Sequence, residues 1–143
     1  MKKRSHRAFP TELYIPSRLE FVGLHFDRLG YRVQVNEFGK DSQELLEINF
    51  GPHSLAQRSM DEGKYMSLSW DFDLADGPVG SIVLVENSDF MEWFEGESCH
   101  VYSDIAAFHV AILTQNEWVE VICSKLPKLE WIALDGISPV RAT

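Results

Sequence analysis

Apolar and polar residues alternate along several short segments of this chain, and this period of two constrains the fold more than any other feature. The clearest case is the segment 66–74, in which five apolar side chains share one face: Met66, Leu68, Trp70, Phe72 and Leu74. A strand with this pattern packs one face and exposes the other to water. A chain that repeats the pattern is expected to form antiparallel sheets.

The alternation predicts strands on both sides of several turns. Residues 19–26 place Val22, Leu24 and Phe26 on one half-buried face, and a turn at residues 27–30 joins them to a second strand, 31–35. The polar stretch 52–64 is predicted to be mostly irregular. Further strands are predicted over residues 45–50, 81–85, 105–113 and 118–123, and a final extended piece over residues 129–134.

Two of these strands carry additional information. Residues 105–113 are apolar on both faces, which is typical of a central strand, and they are expected to form a hairpin with residues 118–123. The sequence therefore predicts an α+β domain, mainly antiparallel β, with about seven strands in hairpins and one short helix.

That helix is predicted over about residues 89–95. Ser88 is a good N-cap residue, Asp89 adds a negative charge to the first turn, and Phe90, Trp93 and Phe94 share a face. A helix of two turns is marginal alone. We therefore expect its aromatic face to pack on the sheet.

Length and composition indicate one domain. A chain of 143 residues, 45% of them hydrophobic, can bury roughly 70% of the surface it exposes when unfolded. We predict a basic flexible tail over residues 1–7, a single globular domain over 8–135 and a loose C-terminal tail over 136–143. Two cysteines, no apolar run of ~18 residues and no signal-peptide pattern favour a cytoplasmic location and exclude a membrane span.

Charge is distributed unevenly. The chain has a formal charge of −9, yet residues 61–120 hold thirteen Asp and Glu against the single base Lys64, a charge of −12. Such a field repels nucleic acid and anionic membranes and accelerates association with a basic protein. The alternative is a solvated surface that only promotes solubility.

The sequence provides weak support for catalysis. The histidines are too dispersed for typical zinc ligands, and the acidic surroundings of Cys99 and His100 would not favour a thiolate. Asp71 and Asp73 stand roughly 7 Å apart on one strand face, a spacing that any alternating acidic strand produces. No phosphate-binding glycine motif occurs. We expect no catalytic residue, no metal and no cofactor.

Two stretches resemble a pattern in small bacterial proteins that are largely uncharacterised: residues 88–98, SDFMEWFEGES, and residues 109–122, HVAILTQNEWVEVI. In general character the chain also resembles acidic bacterial toxin-immunity proteins. That resemblance implies a non-catalytic inhibitor that covers the active site of a basic toxin, for example a nuclease. The basic segment from Lys2 to Arg7 departs from the pattern.

Three hypotheses follow. The first is a non-catalytic acidic domain that binds a basic protein through Asp71, Asp73, Glu92, Glu95 and Glu97, with an immunity-type inhibitor as one form of it. The second is a small-molecule-binding or hydrolytic domain with a pocket around His25, Cys99, His100 and His109. The third is a structural subunit that forms a homodimer.

Overall fold

The computed structural model of the protein describes residues 5–40, 43–61, 80–101 and 105–133. Within these residues the chain forms nine strands and one helix. In chain order they are β1 (Ser5–Ala8), β2 (Leu19–Asp27), β3 (Gly30–Glu37), β4 (Glu44–Gly51), β5 (Ser54–Asp61), β6 (Ile82–Glu86), α1 (Asp89–Glu97), β7 (Phe108–Leu113), β8 (Glu117–Cys123) and β9 (Lys128–Ala133).

The strands form two antiparallel sheets. The five-stranded sheet has the order β1-β6-β7-β8-β5, and the four-stranded sheet has the order β2-β3-β4-β9. This confirms the mainly antiparallel class with one short helix, although the described residues contain nine strands rather than about seven. The hairpins β2–β3 and β7–β8 pair as the alternation predicts, and β7 lies at the centre of its sheet.

Two of the strands lie where the sequence predicted none. β5 falls in the stretch predicted to be mostly irregular, and residues 5–7, assigned to the basic tail, lie in β1. Among the described strands, both lie at the ends of the five-stranded sheet. Their sequences, SHRA and SLAQRSMD, contain no apolar alternation, so the periodicity gave no signal there.

The core lies between the two sheets. Leu19 at the start of β2 is fully buried in it, and its carbonyl accepts a hydrogen bond from the Gln115 amide of the β7–β8 turn at 2.8 Å. Both sheets contribute fully buried side chains to the same cluster, among them Val33, Val35, Leu46, Ile48, Val110, Ile112, Val119 and Val121.

The expected burial of β2 is wrong. Val22, Leu24 and Phe26 are 48%, 36% and 67% exposed. The reason is the position of the strand: β2 is the outer strand of its sheet, and its register with β3 shifts between Phe21 and Gly23. The far end of β2 therefore extends past the core, and Leu19 takes the buried position instead.

Two segments with sequence-based predictions fall outside the described ranges. The first is the alternating segment 66–74, which contains the predicted binding residues Asp71 and Asp73, and the second is the C-terminal tail 136–143. The division into one domain and two tails stays a prediction. No helix in the described ranges is long and apolar enough to cross a membrane.

Candidate protein-binding surface and the polar network beneath it

Helix α1 follows β6 directly and covers the outer face of the five-stranded sheet. Ser88 is its N-cap: the Ser88 Oγ accepts a hydrogen bond from the Met91 amide at 2.9 Å. Phe90 and Phe94, one turn apart, are buried against Ile122 of β8. The helix ends at Glu97, two residues beyond the predicted end, and the Ser98 amide donates to the Phe94 carbonyl at 3.0 Å.

Trp93 does not pack in the core, contrary to the sequence prediction. It is 56% exposed, and its ring stacks on Phe90 with centroids 5.9 Å apart and planes 20° from parallel. A helix of nine residues presents only a narrow stripe to a sheet, and Phe90 and Phe94 fill it. Trp93 therefore lies at the border of this stripe, supported from below by Phe90 and open to solvent above.

Three carboxylates lie within four residues of this tryptophan on the helix, and that of Glu97, one turn after Trp93, shares its face. Glu92 and Glu97 are exposed and Glu95 is half-buried, and no Lys or Arg of the described residues forms an ion pair with them. The last turn contains no basic residue. Because the C-terminal end of a helix is its negative end, Glu95 and Glu97 each oppose the helix dipole by roughly 0.3–1 kcal/mol. We call Glu92, Trp93, Glu95 and Glu97 the α1 surface.

A buried polar network lies beneath the helix. The His109 ring on β7 and the Glu120 carboxylate on β8 have side-chain exposures of 0% and 1%. The Ser88 Oγ lies 2.6 Å from His109 Nδ1, and His109 Nε2 lies 2.7 Å from Glu120 Oε1. The second carboxylate oxygen, Glu120 Oε2, accepts a hydrogen bond from Arg58 Nε of β5 at 2.7 Å.

The electrostatics of the network favour an ionised Glu120. Burial alone would raise the pKa of this carboxyl, but hydrogen bonds from His109 and Arg58, together with their charges, outweigh burial and lower the pKa well below its ordinary value. The ionised carboxylate accepts the Nε2–H of His109. In the neutral imidazole this leaves Nδ1 as an acceptor for the Ser88 hydroxyl.

Arg58 joins the network to the helix. Its guanidinium lies over the Phe90 ring, 4.3 Å from the centroid, and 3.6 Å from Asp89 Oδ1 in the first helical turn. The edge of Phe90 also contacts the His109 ring, with centroids 5.4 Å apart. Three strands and the helix N-terminus are thus connected by charge-assisted contacts, which fix how α1 sits on the sheet.

The sequence did not predict that Ser88, Arg58 and Glu120 belong to one hydrogen-bonded network. Two signals were available: Glu120 interrupts the otherwise apolar β8, and His109 stands in the apolar β7. Buried polar groups require partners. Arg58 stands directly opposite Glu120 in the β5–β8 register, yet β5 was not predicted as a strand.

A groove of about 390 Å³ opens beside the network. Ser88 and His109 are among its lining residues, together with Asn87 and the apolar residues Val85, Met91 and Ala107. The exposed residues Arg7 and Glu86 also line the groove, and they form an ion pair in which Arg7 Nε lies 3.0 Å from Glu86 Oε1.

The residues of the predicted histidine pocket do not share this groove. His109 lines it, whereas His25, Cys99 and His100 are absent from its walls. His25 is exposed on β2 of the other sheet, and Cys99 and His100 are exposed after the end of α1. Among the described residues, no three His, Cys, Asp or Glu side chains cluster so as to hold a metal ion. Cys123 is buried, and burial raises the pKa of its thiol to about 12.

Comparison of the chain with known proteins gave no match to a protein-family model, to a curated protein or to a solved structure.

Proposed function

We propose that the protein binds a basic partner protein and that the α1 surface is the centre of the contact. The observation that carries this proposal is Trp93, 56% exposed, beside the carboxylates of Glu92 and Glu97, which have no ion-pair partner within the described residues. Tryptophan, with tyrosine and arginine, is one of the residue types enriched in binding hot spots.

The electrostatics of the free protein support a cationic partner. Glu92 and Glu95, three residues apart on the helix, are like charges in neighbouring positions, and Glu95 and Glu97 oppose the helix dipole. A Lys or Arg of the partner would relieve both effects, and its side chain could also lie over the Trp93 ring in a cation–π contact. The formal charge of −9 would accelerate the encounter over longer distances.

The rigidity of the surface is a further argument. Ser88, Phe90 and Phe94 hold the helix on the sheet, so the α1 surface needs little ordering when the partner arrives. A preorganised surface loses less entropy on binding.

The resemblance to toxin-immunity proteins favours one form of this function: an inhibitor that binds a basic toxin, for example a nuclease, in the cytoplasm. Asp71 and Asp73 remain part of this proposal as further acids that contact the partner.

The test is affinity capture from cell extract by four immobilised forms of the protein at about 50 mM and 500 mM salt: wild type, Trp93→Ala, Glu97→Lys and the control Glu20→Lys. Glu20 is exposed on β2, so its variant has the same charge change as Glu97→Lys at a site remote from α1 in the fold. We expect wild type and the control to capture the same basic protein at low salt, and the two α1 variants to lose at least about tenfold of it.

High salt should release this protein, because exposed charges are screened beyond about 10 Å at 0.1 M. No capture at 50 mM, capture that salt does not change, or equal loss in the Glu20→Lys control would contradict the proposal.

A further inference from the structure

Ser88, His109 and Glu120 form a chain of two short hydrogen bonds that ends at the wall of a groove. We propose that Ser88 is a nucleophile that accepts acyl groups from small uncharged esters bound in this groove. The proposal concerns the groove at the N-terminus of α1, uses none of the residues of the α1 surface and does not depend on partner binding.

The geometry has the three parts that an activated serine needs. A base lies within hydrogen-bond reach of the hydroxyl, at 2.6 Å from Ser88 Oγ to His109 Nδ1. The base is held by a buried carboxylate, at 2.7 Å from His109 Nε2 to Glu120 Oε1. Arg58 in turn fixes the carboxylate at 2.7 Å, so each group of the chain is oriented by the next.

The backbone presents Ser88 at a sharp connection. β6 ends at Glu86, Asn87 has a φ of 56°, and α1 begins at Asp89. A non-glycine residue in the left-handed region is uncommon, and such strain concentrates at functional sites. The strand-to-helix turn leaves Ser88 half-buried, with its hydroxyl at the groove rather than in the core.

The groove defines the class of substrate. The apolar residues Val85, Met91 and Ala107 line it together with Ser88 and His109, and its charged lining residues Arg7 and Glu86 form an ion pair with each other. At 390 Å³ it lies at the small end of ligand sites. An uncharged ester with a short aliphatic acyl chain fits this lining.

The proposed step conserves atoms and charge. The Ser88 Oγ–H proton passes to His109 Nδ1 as the bond from Oγ to the acyl carbon forms. The carbon–oxygen bond to the alcohol then breaks, and the leaving oxygen takes the proton from Nδ1. Water hydrolyses the acyl-serine by the same route, which releases the carboxylic acid and restores Ser88.

The experiment treats the full chain with an alkyl fluorophosphonate and follows adduct formation by intact mass and peptide mapping. The matched serine is Ser98, at the other end of α1: it is also half-buried, and its hydroxyl donates to the Phe94 carbonyl at 2.7 Å instead of to a histidine. We expect one adduct per chain, on Ser88, formed at least about 100-fold faster than any adduct on Ser98.

Two variants complete the test. Ser88→Asn keeps a good helix N-cap and removes the nucleophile, so it should fold and lose the adduct. Glu120→Gln removes the negative charge that stabilises the protonated form of the His109 ring. Because Ser88 is activated only when the His109 ring is neutral, the pH midpoint of the labelling rate should move to lower pH. The other charged groups near the ring, Arg58 on β5, Asp89 on α1 and the groove-lining pair Arg7 and Glu86, stay unchanged.

Labelling of Ser88 at the rate of Ser98, an adduct that persists in Ser88→Asn, or an unchanged pH midpoint in Glu120→Gln would overturn the proposal. Ser88 would then serve only as a helix cap. None of these results bears on partner capture, which is read from the Trp93 and Glu97 variants.

Discussion

Glu120 shows how much one buried carboxylate can contribute in this protein. Each of its oxygens accepts one charge-assisted hydrogen bond, from His109 or from Arg58. In Glu120→Gln the new side-chain NH2 group faces either His109 or Arg58. Both are hydrogen-bond donors, so one buried donor loses its acceptor. We expect the free energy of unfolding to fall by about 3 kcal/mol, measured by urea denaturation.

The control for this variant is Glu117→Gln. Glu117 is half-buried in the same strand and forms no ion pair with a Lys or Arg of the described residues. Glu117→Gln should therefore lower the free energy of unfolding by less than about 0.5 kcal/mol. Equal effects of the two substitutions would show that the network does not stabilise the fold.

The same carboxylate predicts a pH dependence. Its pKa in the folded protein is lowered from the ordinary value of 4.5, so its stabilisation is fully present above pH 4.5 and is lost as the pH falls towards the folded value. The difference in unfolding free energy between wild type and Glu120→Gln should therefore shrink as the pH is lowered from 7 to 3. A difference that stays constant over this range would contradict an ionised Glu120.

At the scale of single elements, the β2–β3 turn depends on the absence of a side chain at Gly30. This residue has a φ of 102°, and a Cβ there would lie 2.3 Å from the Gly51 carbonyl oxygen of β4. Gly39 is the control: it has a φ of 82°, but no atom lies within 4 Å of the position that a Cβ would take. Gly39→Ala therefore measures the cost of a side chain at positive φ without a steric clash. We expect Gly30→Ala to cost about 1–3 kcal/mol more than Gly39→Ala in urea denaturation. Equal costs would show that Gly51 can move away.

Helix α1 allows binding and stability to be separated. Glu92 lies in the first turn, where a negative charge is favourable, and Glu97 is the last residue of the helix, where it is unfavourable. Glu97→Lys should raise the free energy of unfolding and Glu92→Lys should lower it, each by roughly 0.3–1 kcal/mol. Both should weaken capture of the basic partner. If Glu92→Lys weakened capture while Glu97→Lys strengthened it, capture would depend on the stability of the helix rather than on its charge.

The predictability of the elements follows their burial. The hairpin β7–β8 and strand β3 were predicted because their strands contact the core and their sequences record this contact, whereas β2 was predicted from an alternation whose apolar side chains are exposed. β5 was missed because it is a polar edge strand, held by its pairing with β8, and strand pairing leaves little trace in a single sequence.

At the scale of the whole molecule, the site was less predictable than the fold. The acids Glu92, Glu95 and Glu97 were identified from local charge, because neighbours on a helix stay neighbours in space. The link between Ser88, His109, Glu120 and Arg58 joins four elements, and its members lie up to 62 residues apart in sequence. Only the order of strands in the five-stranded sheet brings them together.

The shared core predicts that the two sheets unfold as one unit. Ile48 on β4 and Ile112 on β7 belong to different sheets, yet both are 0% exposed in the same cluster. Ile→Val at either position should cost about 0.5–1.5 kcal/mol and lower the midpoint of one common transition without changing its slope. Urea unfolding followed by both tryptophan fluorescence and far-UV circular dichroism tests this, because coincident curves are required of a two-state transition. If Ile48→Val shifted one probe and Ile112→Val the other, each sheet would have its own stability, and the contacts between the two sheets would contribute little to folding.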